Sequence, residues 1–189
     1  MYKRQGQLGG AKKEQTSSAV DSAMAVLMGA LAKNTSNQEG ASALGSALDR
    51  DHDGSILDDV MGYISGSSPI SNTKAANGDG ILGHLLGEKR SGVIEQLSRE
   101  SGLSQDQSGG LLAKLAPLIL GGLGKQRKTQ QMDDNGLSDM LSESFGQVAQ
   151  KSPRAQSMIE KLIDRDGDGN IMDDIMGTVG KGLLKNLFK

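Results

Sequence analysis

Two stretches of this chain are near copies of each other. Residues 48–62 read LDRDHDGSILDDVMG and residues 163–177 read IDRDGDGNIMDDIMG. Ten of the fifteen positions are identical, and three of the other five exchange one apolar residue for another. Each copy lies between an amphipathic stretch upstream and another downstream. A chain built this way is expected to contain two related helix–loop–helix units, and that constrains the fold more than any other feature.

Both copies open with the pattern D-x-D-x-D-G, the start of an EF-hand type calcium loop. The chemistry explains the spacing. Ca²⁺ takes six to eight hard oxygens at about 2.3–2.6 Å. Asp49, Asp51 and Asp53 supply three short carboxylates in the first copy, and Asp164, Asp166 and Asp168 in the second. Gly54 and Gly169 permit the sharp turn at loop position six. Position seven offers a backbone carbonyl, here from Ser55 or Asn170. Position eight is Ile56 or Ile171, and the two are expected to lie side by side if the loops pair back to back. Position twelve, where a bidentate Glu belongs, is Val60 or Ile175; aspartates stand earlier, as Asp58-Asp59 and Asp173-Asp174. One of each pair is expected to ligate and the other to favour the positive end of the following helix. Without the long Glu, affinity is expected at about 10⁻⁵–10⁻³ M.

The rest of the chain reads as helix, and the predicted fold class is all-α: a helical bundle with two EF-hand-like units flanking a middle helical unit. Val20, Met24, Leu27 and Leu31 fall on one helical stripe behind a Ser18-x-x-Asp21 capping pattern. Short helices are expected over about 38–48 and 57–64, and again around Ile81–Leu86 and Val93–Leu97, the latter stopping at Ser101-Gly102. Ser104-x-x-Gln107 opens a long apolar helix through Leu123, with Pro117 expected to kink or break it. Leu137, Leu141, Phe145 and Val148 form a further stripe. Ser152-Pro153 starts another helix bearing Met158, Ile159, Leu162 and Ile163, and the last carries Ile175 through Phe188. This divides the chain into a disordered tail (1–18), a helix–calcium loop–helix unit (19–65), a linker (66–78), a middle unit (79–124), a second linker (125–135) and a second calcium-loop unit (136–189). Met1–Gln5 resembles the translation of a sequencing-library adapter and is expected to be foreign to the chain.

Composition limits the remaining options. Leu, Ile, Val and Phe make up about 22 % of 189 residues and aromatics 2 %. That is just above the roughly 20 % below which disorder sets in, so the core is expected to be loose and modest in stability. There is no Cys, hence no disulfide, thiolate metal site or Cys nucleophile. Lys and Arg number 21 against 23 Asp and Glu, so no nucleic-acid partner is expected. The longest strongly apolar run is too short for the roughly 18 residues that span a bilayer. A cytoplasmic location is the default expectation, and a homo-oligomer through the apolar middle helices is compatible with the pattern. His52, at outward-pointing loop position four, and His84, beside an apolar face, are expected to be neither ligands nor catalysts. The methionines are expected to fill the core, and the basic run Gly124–Lys128 to be a solvated helix end. No nucleophilic triad or nucleotide-binding glycine loop is visible, so an enzyme is not expected. Two functions fit: calcium as a structural staple, or a calcium-responsive sensor that exposes an apolar groove to a partner.

ALAKNTSNQEGASALGSALDRDHDGSILDD from Ala30, NGDGILGHLLG from Asn77 and SGLSQDQSGGLLAKLAPLILGGLGKQ from Ser101, with the last aspartate loop, resemble the YidB-like bacterial family, domain of unknown function nine-thirty-seven. The resemblance implies an all-helical fold and carries no reaction, substrate or partner with it.

Overall fold

The computed structural model describes residues 3–52, 54–58, 60, 62 and 75–151. Among these residues the protein is helical, with no strand. The helices are α1 (Lys3–Asn34), α2 (Gln38–Asp51), α3 (Gly78–Leu86), α4 (Arg90–Ser101), α5 (Gln105–Gln130) and α6 (Asp134–Lys151). The expected helices from Ser152 onward lie outside the described residues.

Local chemistry accounts for most boundaries. Asn37 and Asn77 cap α2 and α3 by accepting from the N–H groups of Gly40 and Gly80 at 2.8 and 3.0 Å. Gly102 ends α4 in the left-handed region, with φ 72°. Ser104 and Gln107 form the full reciprocal capping box at the start of α5: the Gln107 N–H donates to Ser104 Oγ at 3.1 Å, and the Ser104 N–H donates to Gln107 Oε1 at 2.9 Å. Replacing Ser104 with Ala should cost about 1 kcal/mol in a urea titration. A change within a few tenths of zero would show that α5 does not depend on this cap.

The structure departs from the sequence reading in four places. Residues 3–18, expected as a disordered tail, belong to α1, so Ser18 sits inside a helix rather than at its cap. Helix formers such as Ala11, Lys12, Lys13 and Glu14 carry the helix back. The buried stripe of α1 is also displaced: Ala19, Ala23, Val26, Leu27, Ala30 and Leu31 are inside, while Met24 is 42 % exposed. Small alanines bring the neighbouring helices close, which hydropathy alone undervalues. Third, the expected linker 125–135 is mostly the end of α5, and only Gln131–Asp133 joins α5 to α6.

Fourth, of the kink or break expected at Pro117, the break does not occur: α5 runs through it. Proline has no N–H for the carbonyl four residues back, that of Ala113. Buried Gly78 of α3 lies directly against that carbonyl, so closely that a Cβ there would overlap it. The oxygen freed by Pro117 therefore faces a glycine Cα, a weak but favourable contact.

Two clusters of apolar side chains hold the helices together. The first joins Ala23, Val26 and Leu27 of α1 to Leu82 of α3, Leu97 of α4 and Leu112 of α5. The second joins Leu31 of α1, Leu48 of α2, Leu120 and Leu123 of α5, and Leu137 and Leu141 of α6. Since α1 and α5 contribute to both, the described part of the first unit and the middle unit share their cores rather than standing apart. Polar links tie the same joints: Asn34 Nδ2 donates to the Leu85 carbonyl at 3.1 Å, and Ser138 Oγ donates to the Thr35 carbonyl at 2.9 Å.

Candidate metal loop

The first aspartate loop begins inside a helix. Helix α2 includes both Asp49 and Asp51, and ends at His52, whose N–H donates to the Leu48 carbonyl at 3.2 Å. Gly54 then takes φ 94°, a left-handed conformation that L side chains rarely adopt. The expectation for loop position six holds there. A single 3-10 turn, Ser55–Leu57, follows. The Ser55 carbonyl, expected as a ligand, accepts the Asp58 N–H at 3.1 Å.

The carboxylates of α2 do not converge. Two residues along a helix correspond to roughly 200° of rotation, so Asp49 and Asp51 leave on opposite sides. Each meets an arginine. Asp49 accepts from Arg127 Nε and Nη2 at 3.2 and 3.4 Å, and Asp51 accepts from Arg50 at 2.8 Å. The hydrogen bond that Arg50 donates to Asp51, and the negative charge of that carboxylate, raise the Arg50 pKa above its ordinary value. Asp58 is exposed. Asp53 and Asp59 lie outside the described residues, as do Asp164, Asp166, Asp168, Asn170, Asp173 and Asp174 of the second loop. Among the described residues, no three His, Asp or Glu side chains are grouped as metal ligands. With α2 intact, Asp49 and Asp51 do not fit one cation between them.

The loop is seated on α5. Ile56 lies over Gly121, where a Cβ would meet its Cγ2 at 2.6 Å, and the backbone at His52 lies directly on Gly124. Ile56 thus packs on α5; Ile171, its expected partner, is outside the described residues. His52 is buried at 6 % exposure instead of pointing outward, because the loop's backbone closes onto α5 at that residue. His84 is on the surface, as expected.

Arg127 organises this joint and was not singled out by the sequence reading. Its side chain is only 13 % exposed, and Nη2 also reaches Asp134 of α6 at 3.0 Å. Gly45 of α2 leaves the space in which this pair sits. One arginine of α5 therefore connects α2 and α6. The basic run Gly124–Lys128 looked like a solvated helix end, but Arg127 follows Leu123 and Gly124 by four and three residues. That spacing places it on their buried face, and it was the available signal.

The fold and this loop define a helical domain with an aspartate loop docked on α5. The chain belongs to a family of bacterial proteins of unknown function, DUF937, whose model matches residues 2–126. No curated protein and no solved structure matches the chain. No helix among the described residues is long and apolar enough to cross a membrane.

Proposed function

We propose that this protein is a non-enzymatic helical module whose two aspartate loops take up calcium as a structural staple, with Arg127 holding the first loop in its place when calcium is absent. One observation carries this reading: the carboxylate at loop position one is already neutralised by a cation reaching across from α5. A loop dense in aspartates needs a positive partner, because the carboxylates repel one another. The repeated sequence, with Gly54 in its turning conformation, supports calcium as the alternative partner. Binding would require Asp49 to leave Arg127 and the last turn of α2 to open, so that Asp51 can turn inward beside Asp53. The staple is preferred to the sensor because Met28 and Met140 pack against the core instead of forming a separate groove.

Calorimetric titration of the metal-stripped protein, beside the Asp53→Ala/Asp168→Ala variant, tests this. Two binding events are expected, both lost in the variant. With calcium at tenfold its Kd, each event should add about 1.4 kcal/mol to stability. Heat without a melting shift, or no heat up to millimolar calcium, would refute the staple. A calcium-dependent rise in hydrophobic-dye fluorescence would replace it with the sensor.

A further inference from the structure

Arg127 turns one nitrogen toward two carboxylates. Nη2 stands 3.4 Å from Asp49 Oδ2 and 3.0 Å from Asp134 Oδ1, while Nε reaches Asp49 Oδ1 at 3.2 Å. The two aspartates share a single guanidinium, so the charge of each offsets part of what the other receives.

Their positions are unequal. Asp134 lies in the first turn of α6, where the positive end of the helix also favours a carboxylate, and it is partly buried. Asp49 lies in the last turn of α2, at the negative end, and it is exposed. For Asp49 the arginine offsets an unfavourable site. The shorter distance and the lower exposure make Asp134 the stronger claimant, since burial reduces screening. The last turn of α2 is closed by the His52 N–H, which donates to the Leu48 carbonyl at 3.2 Å. While that turn is closed, Asp49 and Asp51 diverge.

We propose that Asp134 is a positioning residue for the first aspartate loop. By drawing on Arg127 it sets how firmly the arginine holds Asp49, hence how readily the last turn of α2 opens and how much calcium the loop needs. The calcium consequence rests on the staple reading; the closure of the turn does not. Neutralising Asp134 leaves the guanidinium to Asp49 and tightens the closed turn. Removing the guanidinium leaves Asp49 uncompensated at the negative helix end and loosens it. If the two ion pairs were scaffolding alone, either change would loosen the joint. Competition for one arginine gives opposite signs.

Hydrogen exchange of the His52 amide, followed in the full-length, metal-stripped protein, reads the turn directly. Asp134→Asn should slow it and Arg127→Met should speed it, each by about two- to fivefold, the equivalent of an exposed ion pair. Adding Asp49→Asn should remove the effect of Asp134→Asn. Arg127→Lys keeps a charge without the planar fork; it should shift exchange as Arg127→Met does and carries that arm if the methionine variant does not fold. Calcium is then titrated by calorimetry in the Asp168→Ala background, which silences the second loop. Asp134→Asn should weaken the remaining event and Arg127→Met should tighten it by similar factors. Faster or unchanged exchange in Asp134→Asn would overturn the proposal. Opposite exchange shifts with no calcium heat in any variant would uphold Asp134 as the positioning residue and refute the calcium reading. Opposite exchange shifts with a calcium affinity that does not follow them would overturn the link to the metal.

Discussion

Gly124→Ala should lose about 2 kcal/mol or more of unfolding free energy, while Gly122→Ala, two residues away on the same helix, should gain up to about 1 kcal/mol. On propensity alone both should stabilise, since alanine is favoured over glycine in a helix by about 1 kcal/mol. The surroundings separate them. A Cβ at Gly122 meets nothing within 4 Å. A Cβ at Gly124 would overlap the His52 carbonyl oxygen and approach that of Leu48 at 3.5 Å. Those are backbone atoms at the end of α2, which cannot rotate away as a flexible side chain could. The end of α2 would have to lift until carbon and oxygen stood about 3.3–3.6 Å apart. Leu48 would then lose contact with Leu120 and Leu123, its partners in the second cluster. Overpacking of a tight site costs about 1–3 kcal/mol and occasionally more, enough to outweigh the propensity gain. Urea titrations of the two variants give the comparison directly. Equal stability would mean that α2 does not rest on α5 at Gly124.

Arg127→Met should cost about 1.5–3 kcal/mol, the usual worth of hydrogen bonds to charged groups. Methionine retains much of the buried stem but not the guanidinium. Asp134 is 25 % exposed at the side chain and would be left without this partner in a partly desolvated site. Asp49, 62 % exposed, can return to water at little cost. Double-mutant cycles with Asp134→Asn and Asp49→Asn should therefore find the larger coupling at Asp134. The Asp49 coupling should fade first as salt is raised, because exposed charges are screened more than buried ones. A negligible loss on removing Arg127 would show that the joint between α2, α5 and α6 is held by the leucines alone.

Much of the fold could be read from the residues themselves. The all-helical class, the capping box at Ser104 and Gln107 and the stop at Gly102 all depend on interactions within a few residues of chain. Those interactions are present whatever the helices later pack against. The turn at Gly54 belongs with them, because its left-handed backbone is a local demand. The errors came where a neighbour across the fold outweighs a local preference. Met24 has the hydropathy of a core residue, yet α1 turns Ala23, Val26, Leu27 and Ala30 toward α3, α4 and α5 and leaves Met24 exposed. Pro117 is a helix breaker locally, but Gly78 covers the carbonyl it frees.

The candidate loop divides in the same way. Sequence by itself determined that this chain is helical, where most of its helices start and stop, and that aspartates recur at the spacing of a calcium loop. These follow from hydrogen bonding, backbone sterics and periodicity within single segments. Only the tertiary structure decided what Asp49 meets. Asp49 and Arg127 are 78 residues apart in the chain, and nothing local marks them as partners. They meet because Gly121 and Gly124 let the loop's backbone lie on α5, one helical turn before the arginine. Close packing of distant segments turned a basic helix end into the counter-ion of an acidic loop.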